Sequence, residues 1–120
     1  PGDKRVFETG ATRDTDKGKL IISRFLAPEV LLRYCEYLHK HRVMKDGTLR
    51  DPDNWKKGIP LDTYLDSMIR HTFDVWLINH GLPPHSPDFE SLEDTLSAVL
   101  FNVQGYLYEV LKDRREAIDE

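Results

Sequence analysis

Four short stretches of this chain hold residue types that can do chemistry. The first is Arg70-His71-x-x-Asp74. On a helix, His71 and Asp74 lie three residues apart on one face. An imidazole and a carboxylate so placed can share a divalent metal or its water shell. The same residues also read as a surface ladder, because Asp66–Arg70 and Arg70–Asp74 are both i,i+4 pairs. The second stretch, Glu90-Ser91-Leu92-Glu93-Asp94, gathers three carboxylates where a helix begins. Magnesium takes one or two such carboxylates together with water and phosphate oxygens. Acids at a helix start also simply favour the dipole. The third is Asn54-Trp55-Lys56-Lys57-Gly58. Here Trp55 can stack on a base and the lysines can meet phosphate, or the tryptophan can plug the core. The fourth, Arg13-Asp14-Thr15-Asp16-Lys17-Gly18-Lys19, reads as a phosphate-contacting strap or as a solvated arm. It does not contain the G-x-x-x-x-G-K-[ST] phosphate loop.

These stretches need elements to position them, and the spacing of apolar residues predicts three main helices. Residues 1–25 form a polar, flexible arm with glycines at 10 and 18. Pro28 suits the first turn of a helix. Leu31, Tyr34, Cys35 and Leu38 then mark one apolar face, with Cys35 as a small core residue. Residues 44–60 form an irregular loop. A second helix runs from about 62 to 79, capped by Asp62 and stopped by Gly81, with Leu61, Leu65, Met68, Ile69, Phe73 and Trp76 on its buried side. A third starts near Ser91, with Asp94 three residues on as a variant capping box. Its stripe is broad: Leu92, Leu96, Val99, Leu100, Val103, Tyr106, Leu107, Val110 and Leu111. Gly105 inside it costs ~1 kcal/mol relative to Ala, so a close helix–helix contact is expected there. Residues 113–120 form a charged, fraying tail. The expected architecture is all-α, a single domain over 1–120, its bundle completed by homo-oligomerisation as a dimer or higher assembly. The antiparallel second and third helices would bring the His71/Asp74 turn and the Glu93/Asp94 turn to one end.

Composition narrows the partners. The net charge of −4 hides a balance of +4 over residues 1–60 and −8 over 61–120. One half offers cations to an anionic ligand and the other offers carboxylates to a metal, so a site at their junction suits a metal–phosphate ligand. An acidic total argues against extended nucleic-acid binding. No apolar run approaches the ~18 residues of a membrane span. A single cysteine excludes an internal disulfide and suits a reducing, cytoplasmic setting.

Taken in order, Glu8-Thr9-Gly10-Ala11-x-Arg13-Asp14, Lys17-Gly18-Lys19, Asn54-Trp55-x-Lys57-Gly58-Ile59-Pro60, Ser67-x-x-Arg70-His71 and Glu93-Asp94 leading to Asn102 resemble the phage-type dATP/dGTP diphosphohydrolase domain family. The resemblance spans about residues 8–111. It implies a viral source, and so the host cytoplasm. It also implies kinship with the all-α nucleotide pyrophosphohydrolases of MazG type. These hold Mg²⁺ (Mn²⁺ as an alternative) against a nucleoside triphosphate, release the monophosphate and pyrophosphate, and work as oligomers. Asn54, Trp55, Lys57, Arg70, His71, Glu93 and Asn102 carry over from the family pattern. The expectation is that Lys57, Arg70, Arg13 and Lys19 hold phosphates and that Asn54, Trp55 and Asn102 complete the nucleotide site. Asp74, Glu93 and Asp94 hold the metal. His71 and Glu93 serve the hydrolytic step, His71 by orienting a phosphate or the attacking water. The chain departs from the family at Thr95 and Ala98, where many relatives have histidine. It also lacks the Glu-Glu-x-x-Glu run of the MazG type, for which Arg70-His71-x-x-Asp74 would stand in. The alternative expectation is a nucleotide-binding protein without turnover, such as a phage anti-defence sponge that sequesters a nucleotide signal of host immunity. A third is a structural or interaction module.

Overall fold

The computed structural model describes residues 4–15 and 17–119. Asp16 of the arm motif, residues 1–3 and Glu120 of the tail lie outside them. Two short strands, β1 (Lys4–Val6) and β2 (Thr12–Asp14), pair antiparallel with Arg5 opposite Arg13. A one-turn helix α1 (Ile22–Phe25) leads to α2 (Pro28–Lys40), α3 (Leu61–Asn79) and α4 (Leu92–Asp119). The fold is therefore mainly helical. The arm, expected to be irregular, closes into a hairpin through the Phe7 and Gly10 turn bonds.

The helix ends follow from local chemistry. Pro28 opens α2 at a position where no N–H is needed. Pro60, not Asp62, flanks the start of α3, and Asp62 lies inside its first turn. Gly81, at φ +75°, ends α3. Its N–H bonds Ile78 O and the Leu82 N–H bonds Leu77 O, the paired bonds of a Schellman motif. Ser91 caps α4, its Oγ accepting the Asp94 N–H at 3.1 Å. The expected box is half-formed, because the Asp94 carboxylate turns to α2 instead. Helix α4 continues to Asp119, past the expected fraying point. Between α2 and α3, Val43 bridges Leu49, and Asn54–Lys57 make one 3₁₀ turn.

The closest packing is α3 on α4. A Cβ at Gly105 would fall under 3.0 Å from the Tyr64 ring, so only glycine lets the helices approach this far. Nearby, Asn102 Nδ2 donates to Ser67 Oγ at 3.1 Å and to Ala98 O at 2.8 Å. The buried positions of α4 are thus small or polar: Asp94, Thr95, Ser97, Ala98, Asn102 and Gly105.

This reverses part of the expected burial. Leu96, Leu100, Val103, Leu107 and Leu111 lie on the opposite side of α4 and are exposed. On α3, Tyr64 and Asp74 are buried, while Leu65, Ile69, Phe73 and Trp76 are exposed. Cys35 is also exposed rather than in the core. Short side chains let two helices meet closely, and the long apolar ones are left pointing away. The chain's accessible surface is 9836 Å², against about 6,700 Å² for a compact monomer of this mass. Its radius of gyration is 20.0 Å, against about 14 Å for a compact domain of this length.

Candidate functional site

Arg33, Tyr37 and Lys40 recur at helical spacing along α2, continued by its cap His41, and this helix approaches α4. Arg33 Nε donates to Glu93 Oε1 and Arg33 Nη2 to Asp94 Oδ1, both at 2.7 Å. Lys40 Nζ donates to Asp94 Oδ2 at 3.1 Å and to Glu90 Oε2. Asp94 is therefore the bridge, with one oxygen on each cation. The Arg33 hydrogen bond, joined by Lys40, holds the Asp94 carboxyl below the ordinary carboxylate range against the opposing effect of burial. The carboxylates in turn hold Arg33 and Lys40 above their ordinary values. The basic and acidic halves of the sequence meet in this network.

Behind it lies a cavity of about 60 Å³ lined by His71, Asp74, Asp88, Glu90 and Asp94, with Tyr37 and His41 on the α2 side. A water needs roughly 10–15 Å³ of such space, so the cavity admits a few waters or one small polar group. Asp74 is buried on α3. Its Oδ1 accepts the His85 N–H at 2.8 Å and the Ser86 N–H at 3.2 Å, fastening the proline-rich turn between α3 and α4. Its Oδ2 is buried without a hydrogen-bond partner. Burial pushes this carboxyl up, but the bonds from Ser86 and His85, with His71 near, outweigh it and the carboxyl sits low. His71 is pushed down by burial and then by Arg70, against Asp88 and Asp74, so its neutral form is favoured.

A second cavity, of about 1050 Å³, lies between the end of α2, the 42–54 loop and α4. Asn54 and Trp55 line it. Trp55 is half-buried and meets Phe101 and Tyr108 edge-on, at 6.5 and 4.8 Å between centroids. Lys56 Nζ lies 5.7 Å from its ring centroid, a cation–π contact.

The expected site residues thus divide. His71, Asp74 and Asp94 come together at the small cavity, and Asn54 and Trp55 at the large one. Glu93 stands outside both, exposed and paired with Arg33. Asn102 is spent on the α3–α4 contact. Lys57, Arg70, Arg13 and Lys19 are exposed and line neither cavity. Among the described residues, no three His, Cys, Asp or Glu side chains converge as a group able to hold a metal ion. In this arrangement the expected trio of Asp74, Glu93 and Asp94 is divided: Glu93 does not line the small cavity, and the two Asp94 oxygens accept from Arg33 and Lys40. Arg33 and Tyr37 were missed by motif reading. Their spacing of four, continued by His41, was the available signal.

Comparison with protein-family models, curated proteins and solved structures finds no match for this chain.

Proposed function

We propose that this protein binds a nucleotide through its phosphates at the α2–α4 junction, holding it without turnover, and that it works as a homo-oligomer. One observation carries the phosphate assignment: Arg33 and Lys40 converge on Asp94, a lining residue of the small cavity, and both cations are in reach of solvent. Their side chains are 35% and 52% exposed, and their outer partners Glu93 and Glu90 are 70% and 55% exposed. Such exposed ion pairs are weak. A phosphate offers more charge and more acceptors than either glutamate, and so competes for both cations. The His71 ring, which lines the cavity, adds a nitrogen able to hydrogen-bond there.

The test is calorimetric titration with ATP and with a panel of other linear and cyclic nucleotides. Arg33→Ala should weaken binding by about tenfold or more, as expected for loss of a charge-assisted contact. Unchanged affinity in Arg33→Ala and Lys40→Ala would end this assignment. Bound nucleotide should be recovered intact after denaturation.

The second reading is the Mg²⁺- or Mn²⁺-dependent pyrophosphohydrolase. The buried, unpartnered Asp74 Oδ2 beside His71 and Asp94 favours it. It requires Asp94 to leave Arg33 and Lys40. Release of monophosphate and pyrophosphate with either metal would establish turnover and displace the first reading.

The oligomer rests on the outer stripe of α4 and the excess surface of some 3,000 Å², which is the scale of an obligate interface. Light scattering should find a dimer or larger species at tens of micromolar. Leu100→Glu with Leu107→Glu should dissociate it.

A further inference from the structure

The two cavities share a wall. Tyr37 and His41 line both, and their rings lie 4.2 Å apart between centroids, tilted by 40°. On one side is the small polar space, whose lining residues Asp94 and Glu90 are the partners of Arg33 and Lys40. On the other is the large space, whose walls include Leu38, Ile59, Phe101 and the Trp55 ring. Its volume of about 1050 Å³ matches the upper end of small-molecule sites. Apolar and aromatic lining with a few placed polar groups is the composition such sites have. The polar groups are also suited to an anion. Three cations, Arg42 (its Nε donating to Arg50 O at 2.8 Å), Lys45 and Arg50, line the cavity beside two carboxylates. Asp46 accepts the Thr48 N–H and hydroxyl at 3.0 and 2.6 Å, and Asp51 accepts the Asp53 N–H at 3.1 Å. Asn54, with both a donor and an acceptor on its amide, can read the edge of a base.

We propose that the large cavity holds the nucleoside of the nucleotide whose phosphates lie at Arg33 and Lys40, with Tyr37 and His41 as the wall between base and phosphate. This rests on the phosphate assignment above. The ligand class is then a nucleotide bound across two compartments, its base against Trp55 and Phe101. A phosphate chain alone engages only Arg33 and Lys40.

The test separates the two ends. Trp55 and Trp76 are the chain's only tryptophans, so Trp76→Phe leaves Trp55 as the sole emitter. Titration of that variant with ATP should change Trp55 emission saturably. Inorganic tripolyphosphate should compete with ATP yet leave the emission unchanged. Val43→Phe puts a larger ring into the wall of the large cavity from an exposed position and should weaken ATP by about tenfold, with tripolyphosphate unaffected. Arg33→Ala should weaken both. If ATP and tripolyphosphate bind equally well, Trp55 stays silent and Val43→Phe has no effect, the nucleoside assignment is overturned and the phosphate site stands. If adenosine alone moves Trp55 emission while tripolyphosphate does not bind, the cavity assignment is supported and the phosphate site falls. If none of the three binds, both fall.

Discussion

Helix α4 is held by two seams of opposite kinds. Against α3 it is held by shape: Tyr64 over Gly105, Ala98 buried, and Asn102 bonded to Ser67. Against α2 it is held by charge: Arg33 and Lys40 on Glu90, Glu93 and Asp94, with Tyr34 Oη donating to Gln104 Oε1 at 3.2 Å. A shape seam has one good arrangement and resists change. A charge seam among half-exposed groups can exchange partners at little cost. Both cavities border the charge seam. On the proposed function, a ligand that brings its own anions would enter there without opening the packed core, with the α3–α4 pair as the frame and the α2 side as the part that answers it.

The sharpest way to break this contrast is at Gly105. Gly105→Leu forces a side chain into the Tyr64 ring, and overpacking should outweigh the gain in helix propensity. The expected loss is about 3 kcal/mol, or roughly 12–20 °C in melting temperature. Tyr64→Ala in the same chain should restore part of it, because the two positions share one space. Thermal denaturation of the four members of that cycle reads the coupling directly. Additive effects would mean that the seam is not held by this fit.

Asp74 comes next. It ties α3 to the turn that delivers α4, through two backbone N–H groups. Asp74→Ala should cost about 2 kcal/mol, since two part-buried backbone donors lose a charged acceptor. Asp74→Asn keeps an acceptor in place and should cost less. If circular dichroism melts show the two variants equal to wild type, the turn is held by its prolines instead.

The charge seam should respond more weakly and differently. Asp94→Asn removes the bridge between Arg33 and Lys40 and should lower the melting temperature by a few degrees at low salt. That difference should shrink as salt rises, because the partners are solvent-reachable and screened. Gly105→Leu should show no such salt dependence. A salt-independent Asp94→Asn effect would make this seam one of packing, like its neighbour.

The sequence was readable where a local rule decides the outcome. Pro28, Gly81 and Ser91 act within one turn of themselves, so the starts of α2 and α4 and the end of α3 followed from them. The contact at Gly105 was readable too, because a helical glycine in an apolar stripe asks for a close neighbour. Which face of each helix turns inward was not readable. Apolar periodicity marks a face that needs covering, and it does not say whether the cover comes from this chain. For α3 and α4 the inner contact went to Tyr64, Ala98, Asn102 and Gly105, and the leucines were left outside. The site was half legible for a similar reason. His71, Asp74 and Asp94 meet because antiparallel helices join the two turns that carry them. Arg33 and Lys40 belong to no motif, and only the placement of α2 against α4 gives them partners.

The smallest effect, and the one that tests the cavity itself, is the response to pH. His71 sits below its ordinary value of 6.5 because burial disfavours the imidazolium and Arg70 adds to that, while Asp88 and Asp74 pull the other way. A depressed value means that the unfolded chain binds a proton more readily than the folded one. Stability is then fully present above about pH 6.5 and is lost as pH falls through the folded value. Asp74 and Asp94 are both held below the ordinary 3.8, so their contribution is present above that value and lost at more acid pH. The melting temperature should therefore be flat above about pH 6.5, decline slightly as His71 charges, and fall again below about pH 4. His71→Gln should abolish the first decline and leave the second, because the glutamine amide does not titrate in this range. Asp94→Asn should reduce the second and leave the first. A first decline that survives His71→Gln would assign it to another histidine.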